Sequence, residues 1–187
     1  NKMQVLEMAR CEWIERRENA IALGPSGTGK THVALGLGLA ACQKGLSVGF
    51  TTAAALVSEM MEARDERRLL RFQKQMAGYK LLIIDELGFV PLSKTGDELL
   101  FELISQRYER GSTMITSNLP FDEWTDTFGS ERLTGALLDR LLAAGKRVLL
   151  PVTLPDLDLD WAAYDGPESL APARAPAMSP LIVVVLL

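Results

Sequence analysis

Eight residues, GPSGTGKT at 24–31, satisfy the spacing G-x-x-x-x-G-K-[ST] in full. In Gly24, Pro25, Ser26, Gly27, Thr28 and Gly29 the glycines let the backbone curl, so that successive N–H groups converge on an anion. Lys30 adds a point charge for the β- and γ-phosphates of a nucleotide, and the Thr31 hydroxyl is placed to ligate Mg²⁺. A helix opening at Lys30 turns its positive end toward the same anion. The chemistry these residues support is binding of ATP with Mg²⁺. His32 follows directly. It is the chain's one histidine, so it has no second to pair with. A helix residue at the margin of the cofactor-binding loop is the plainer reading than a base or a ligand.

A second group of residues could act on the bound phosphates. LLIIDE at 81–86 is an apolar run ending in two acids. Asp85, at the tip of a strand beside the phosphate loop, suits the hydration shell of Mg²⁺. Glu86 can polarise a water for in-line attack on the γ-phosphate. A kinase would need an acceptor site rather than that second acid, so the pair favours hydrolysis over transfer. Asn118 ends the next polar–apolar run and is read as a sensor that orients the attacking water, in preference to a turn-former before Pro120. ERLTGALLDR at 131–140 carries Arg132 and Arg140. In an ATPase that assembles with itself, such an arginine can reach the neighbouring subunit's γ-phosphate; Arg140 is the preferred candidate.

Alternating helices and strands must position these groups. The apolar spacing predicts helices over 2–18, 31–44, 53–76 and 95–110, and further helical stretches over 121–127 and 131–144. Strands are expected at 19–23, 46–51, 80–85 and 112–117, with a fifth at Val148 to Val152, where Pro151 restricts it to an edge or an end. Such alternation implies parallel βαβ units in an α/β fold, with ligands bound at the carboxyl ends of the strands.

The 187 residues, 48% hydrophobic, suffice for one domain with a real core. The net charge of −4 excludes a blanket basic surface but not a local basic stripe. Such a stripe occurs at Arg64, Arg67, Arg68, Arg71 and Lys74, whose three- and four-residue spacing would put the arginines on one helix face. That face could grip the phosphates of DNA without reading bases, although alone such a stripe is more often a solvated face. Cys11 and Cys42 lack metal or disulfide spacing and are expected to be buried, reduced thiols of a cytoplasmic protein. The apolar end, LIVVVLL at 181–187, is far shorter than the ~20 residues that span a bilayer, so no membrane anchor is assigned.

With these residues in view, the chain closely resembles the IstB-like transposition helper ATPases, within the AAA+ superfamily near the DnaC helicase loaders and DnaA initiators. The resemblance runs from about Asn1 to Leu141. It rests on RRENAIALGPSGTGKTH, FTTAAALVSEMMEARDERRLLRFQKQ, LLIIDELGFVPLSKTGDELLFELISQRYERGSTMITSNLPFDEW and FGSERLTGALLDRL. It implies an AAA+-type three-layer P-loop NTPase fold around a parallel five-stranded sheet, in a domain spanning residues 1–154. It implies Walker A at Gly24 to Thr31, Walker B at Asp85 and Glu86, a sensor at Asn118 and an arginine finger near Arg140. It also implies self-oligomers that bind double-stranded DNA with ATP and direct the transposase of the same element to its target. A helicase-loader chaperone and a remnant that only binds nucleotide are the alternatives.

Two departures accompany the resemblance. The N-terminal segment usual in such helpers does not precede Asn1, and the text after Leu141 does not read as the usual ending. The Pro-, Ala- and Asp-rich stretch 155–187 is expected to be disordered or poorly packed. A frameshift or truncated reading frame is the expectation for this stretch; translating the other two frames of the source locus tests it, and no family-like ending in any frame would sink it.

Overall fold

A computed structural model describes residues 2–88, 92–119, 123–124, 135, 148–153, 159–164 and 183–186. In chain order the elements are α1 (Lys2–Met8), α2 (Glu12–Glu15), β1 (Ala20–Leu23), α3 (Lys30–Gln43), β2 (Val48–Thr52), α4 (Ala53–Asp65) and α5 (Leu69–Gly78). There follow β3 (Leu81–Leu87), α6 (Lys94–Arg107), β4 (Ser112–Ser117), β5 (Val148–Thr153), β6 (Leu159–Tyr164) and β7 (Val183–Leu186).

Four parallel strands in the order β2-β3-β4-β1 form the centre of the main sheet. Their side chains alternate between two cores, as period-two geometry requires. Ile21, Leu82, Ile84 and Ile115 face α4 and α6, where they meet Leu56, Met60, Leu100 and Leu103. Ala20, Ala22, Leu81, Ile83 and Met114 face the other way, against Trp13, Ile14, Ala34, Leu37 and Ala41. A sheet buried on both faces explains why β3 reads as an unbroken apolar run. The result is three layers, with the carboxyl ends of β1, β3 and β4 at one edge.

The expected fifth strand falls elsewhere. Val148 to Val152 belongs to β5, which pairs antiparallel with β6 in a separate two-stranded sheet. Pro151 cannot donate to a ladder, which keeps this strand out of a sheet interior. The main sheet's fifth member is instead β7, antiparallel to β1.

Two expected helices are broken. The 53–76 helix stops after Asp65: Arg67 takes φ 58°, the Arg68 amide donates to Ala63 O at 2.7 Å, and the Arg67 amide donates to Arg64 O at 3.0 Å. That is a Schellman ending with an arginine where glycine is usual. The 2–18 helix breaks at Cys11, φ 60°, and α2 ends the same way at Arg17, φ 58°. By contrast, α4 and α6 start on side-chain caps, Thr52 accepting from the Ala55 amide and Ser93 from the Gly96 amide. Cys11 is buried as expected, whereas Cys42 is exposed on the outer side of α3. No helix among the described residues is long and apolar enough to cross a membrane.

Candidate functional site

The β1–α3 connection and the start of α3 carry GPSGTGKT, the candidate phosphate loop. Gly27 and Gly29 hold φ 79° and 88°, conformations that a side chain would strain. Beneath the loop, the Gly24 amide donates to Ser117 O at 3.2 Å, which ties the loop to the end of β4. Lys30 is buried, and its ammonium donates to the carbonyls of Gly24 (2.7 Å) and Pro25 (2.8 Å). Burial pulls the Lys30 ammonium below its usual pKa, and the charges of Asp85 and Glu86 draw it back up.

Asp85 is buried where β3 meets this loop. Two hydroxyls converge on its carboxylate: Thr31 Oγ1 donates at 3.0–3.1 Å, and Thr116 Oγ1 donates to Oδ1. Glu86, one residue on, is exposed, with φ 58°. Its amide donates to Thr116 Oγ1 at 3.0 Å.

Ser26, Gly27, Gly29, Lys30, Thr31, His32, Glu86, Thr116, Ser117 and Asn118 line one cleft of about 280 Å³. Phosphate-loop amides, a lysine, hydroxyls, a carboxylate and an amide side chain thus face one space at the strand ends. A hydroxyl and a carboxylate 3.0 Å apart form a hard oxygen donor set that suits Mg²⁺. Thr31 and Asp85 would hold that ion, in part through water. His32 is exposed at the cleft's margin and makes no contact that assigns it chemistry.

Other sequence expectations lie apart from this cleft. Arg140 lies outside the described residues. The basic residues do not share one helix face as the spacing suggested. Arg64 closes α4, Arg67 and Arg68 form the turn, and Arg71 and Lys74 lie on α5. All five are exposed. Arg64 pairs with Asp65 at 3.6 Å and Arg68 pairs with Glu66, while Arg67, Arg71 and Lys74 make no ion pair among the described residues.

Sequence reasoning overlooked Thr116 and Ser117, both fully buried in β4. Ser117 Oγ donates to Leu87 O at 2.6 Å and accepts from the Leu119 amide at 3.1 Å, bracketing Asn118. The available signal was polar residues in a strand buried on both faces, each of which needs a partner.

A protein family described as IstB-like ATP binding protein matches residues 1–150, extending past Leu141. The insertion sequence IS232 putative ATP-binding protein of Bacillus thuringiensis subsp. berliner is 42% identical over 142 residues, 76% of this chain and 57% of that protein. The insertion sequence IS21 putative ATP-binding protein of Pseudomonas aeruginosa is 42% identical over 138 residues, 74% of this chain and 52% of that protein. The chain therefore spans little more than half the length of these relatives. Among solved structures, the DnaC helicase loader superposes with TM-score 0.65 at 24% identity, covering 74% of this chain and 83% of that one. The replication initiator DnaA bound to AMPPCP and single-stranded DNA gives 0.61 at 20%, covering 74% and 43%. These likenesses show the fold, an α/β P-loop NTPase of the AAA+ type.

Proposed function

This chain belongs to the IstB-like ATP-binding proteins of insertion sequences, and from that premise we propose that it hydrolyses ATP and, switched by ATP, assembles on double-stranded DNA to help a transposase choose its target. The observation that carries the hydrolytic part is the convergence on one cleft of Lys30, Thr31, Glu86 and Asn118, with the Asp85 carboxylate hydrogen-bonded to Thr31.

The loop amides and Lys30 bind the triphosphate; the phosphates compete with the Gly24 and Pro25 carbonyls for the ammonium. Magnesium, when bound, neutralises charge on the phosphate oxygens. Glu86 accepts a proton from a water that Asn118 helps orient. That water's oxygen bonds to the γ-phosphorus, the bond to the β-bridging oxygen breaks, and ADP and phosphate leave. A second copy of the chain supplies Arg140 to the developing charge. These residues, with His32 at the loop's margin, act in the cytoplasm.

DNA binding is drawn from the exposed turn between α4 and α5. Arg67 in that turn and Arg71 and Lys74 on α5 have no ion-pair partners among the described residues, so they can exchange counterions for DNA phosphates. Reversing Arg67, Arg68 and Arg71 to glutamate abolishes ATP-dependent retention of a labelled duplex while nucleotide binding persists. Unchanged retention moves the DNA site elsewhere on the chain.

A further inference from the structure

The ladder between β3 and β4 changes register at its functional end. Ile84 pairs with Ile115 and Leu87 with Ser117. Two residues of β3, Asp85 and Glu86, therefore oppose one residue of β4, Thr116. This is a bulge, which leaves an unpaired backbone group and re-aims a side chain. Glu86 carries the strain, at φ 58° in a residue that is not glycine.

Thr116 answers both consequences with one hydroxyl. Its oxygen accepts the Glu86 amide at 3.0 Å, the N–H that the bulge takes out of the ladder. Its proton goes to Asp85 Oδ1. Thr116 is buried, so removing its hydroxyl would leave both partners short of a contact. Serine would keep both bonds; valine fills the same volume and keeps neither.

We propose that Thr116 is the positioning residue of the ATP site: its single hydroxyl orients the Asp85 carboxylate for the Mg²⁺ shell and pins the Glu86 backbone so that the second acid faces the γ-phosphate. The assignment rests on the proposed hydrolysis for Glu86. For Asp85 it rests only on binding of nucleotide with Mg²⁺, and the two can be separated. Groups that orient a ligating carboxylate set metal affinity without touching the metal.

The test uses the full chain as wild type, Thr116→Val and Thr116→Ser. A fluorescent ATP analogue is titrated with and without Mg²⁺, melting temperature is recorded, and ATP turnover is followed separately. In Thr116→Val the Mg²⁺ concentration at half-effect rises about 10- to 100-fold and kcat falls by a similar factor, the range found for groups behind metal ligands. Nucleotide affinity without Mg²⁺ stays within about twofold, since the phosphate loop is unaltered. Thr116→Ser matches wild type in Mg²⁺ midpoint and kcat while losing some thermal stability. A purely structural threonine gives the other pattern: the valine variant melts lower with an unmoved Mg²⁺ midpoint, which overturns the assignment. A shifted midpoint in Thr116→Ser overturns it too, and this holds even when Thr116→Val fails to fold. Wild-type affinity indifferent to Mg²⁺ likewise overturns it. Wild-type protein that binds nucleotide with Mg²⁺ yet never turns over removes the hydrolysis reading alone, and the midpoints still judge Thr116.

Discussion

Replacing Arg107 by methionine should be among the most destabilising single changes in this domain. The side chain is 1% exposed and has no carboxylate partner among the described residues. Its guanidinium donates to four oxygens instead: Thr113 Oγ1 (3.1 Å), Met76 O (2.7 Å), Tyr79 O (3.1 Å) and Ser112 O (2.5 Å). It thereby fastens the end of α6 to the end of α5, the approach to β3 and the start of β4. Burial pulls its pKa down to about 10 from 12.5. At about 1.4 kcal/mol per unit, that shift sets the penalty for keeping the cation at about 3 kcal/mol. A hydrogen bond from a charged donor is worth about 1.5–3 kcal/mol, so four of them outweigh the penalty by about 3 kcal/mol or more. Methionine preserves much of the volume but leaves one buried and two part-buried carbonyls short of a donor. The expected loss is about 3 kcal/mol, the margin by which the four bonds outweigh burial. Urea unfolding followed by circular dichroism reads it directly, and a melting temperature lower by about 10 °C should accompany it. Lysine, a single point charge, cannot serve the four acceptors and should recover less than half of the loss. A methionine variant within about 1 kcal/mol of wild type would refute the reasoning, because the four bonds would then do no more than offset burial. The depressed pKa adds stability only as pH climbs above about 10, so the loss should be flat across neutral pH.

Two further changes concern α6 and the residues just after it. Asp97, in the first turn of α6, is buried with Oδ1 unpartnered among the described residues, and burial, helped by the Glu98 charge, lifts its pKa to about 6. The folded protein holds this proton more tightly than the unfolded chain, so stability falls as pH rises from about 4 to about 6. Asp97→Asn should gain about 1–2 kcal/mol over wild type above pH 6, discounted for water entry from the ~3 kcal/mol of the full shift, and nothing below pH 4. Denaturation midpoints at pH 4 and pH 7 check the sign. A Cβ added at Gly111 would lie 2.8 Å from Tyr79 O and 3.0 Å from Arg107 Nη2. Gly111→Ala should therefore cost about 1–3 kcal/mol by overpacking, and only somewhat less in an Arg107→Met background, since the clash with the Tyr79 carbonyl remains when the Nη2 contact goes.

What was legible in the sequence followed from local rules. GPSGTGKT states its own chemistry. STMITS predicts β4 to the residue because a strand buried on both faces needs no periodicity. Arg67 concealed the break between α4 and α5. Neither glycine nor proline marks that turn, and the arginine spacing keeps a helical period straight across it. Cys11 hides the break after α1 in the same way. The roles of Thr116 and Arg107 were out of reach for a different reason: each depends on which strand lies opposite, a relation that exists only once the sheet is assembled. Asp85, Glu86 and Asn118 could be nominated from sequence because they fall at or just past strand ends, where the α/β architecture gathers ligand-facing groups.

Hydrolysis by Glu86, in a nucleotide site completed by Lys30, Thr31 and Asp85, is tested most directly by steady-state ATP turnover with and without double-stranded DNA, in wild type and in Glu86→Gln. The glutamine variant keeps the shape of the side chain but cannot take a proton. The account predicts DNA-stimulated turnover in wild type and its loss by at least about 100-fold in Glu86→Gln, the usual range for a general base, with ATP affinity retained. Equal turnover in the two proteins would contradict the role of Glu86, and nucleotide binding with no turnover in wild type, with or without DNA, would contradict the claim of hydrolysis itself.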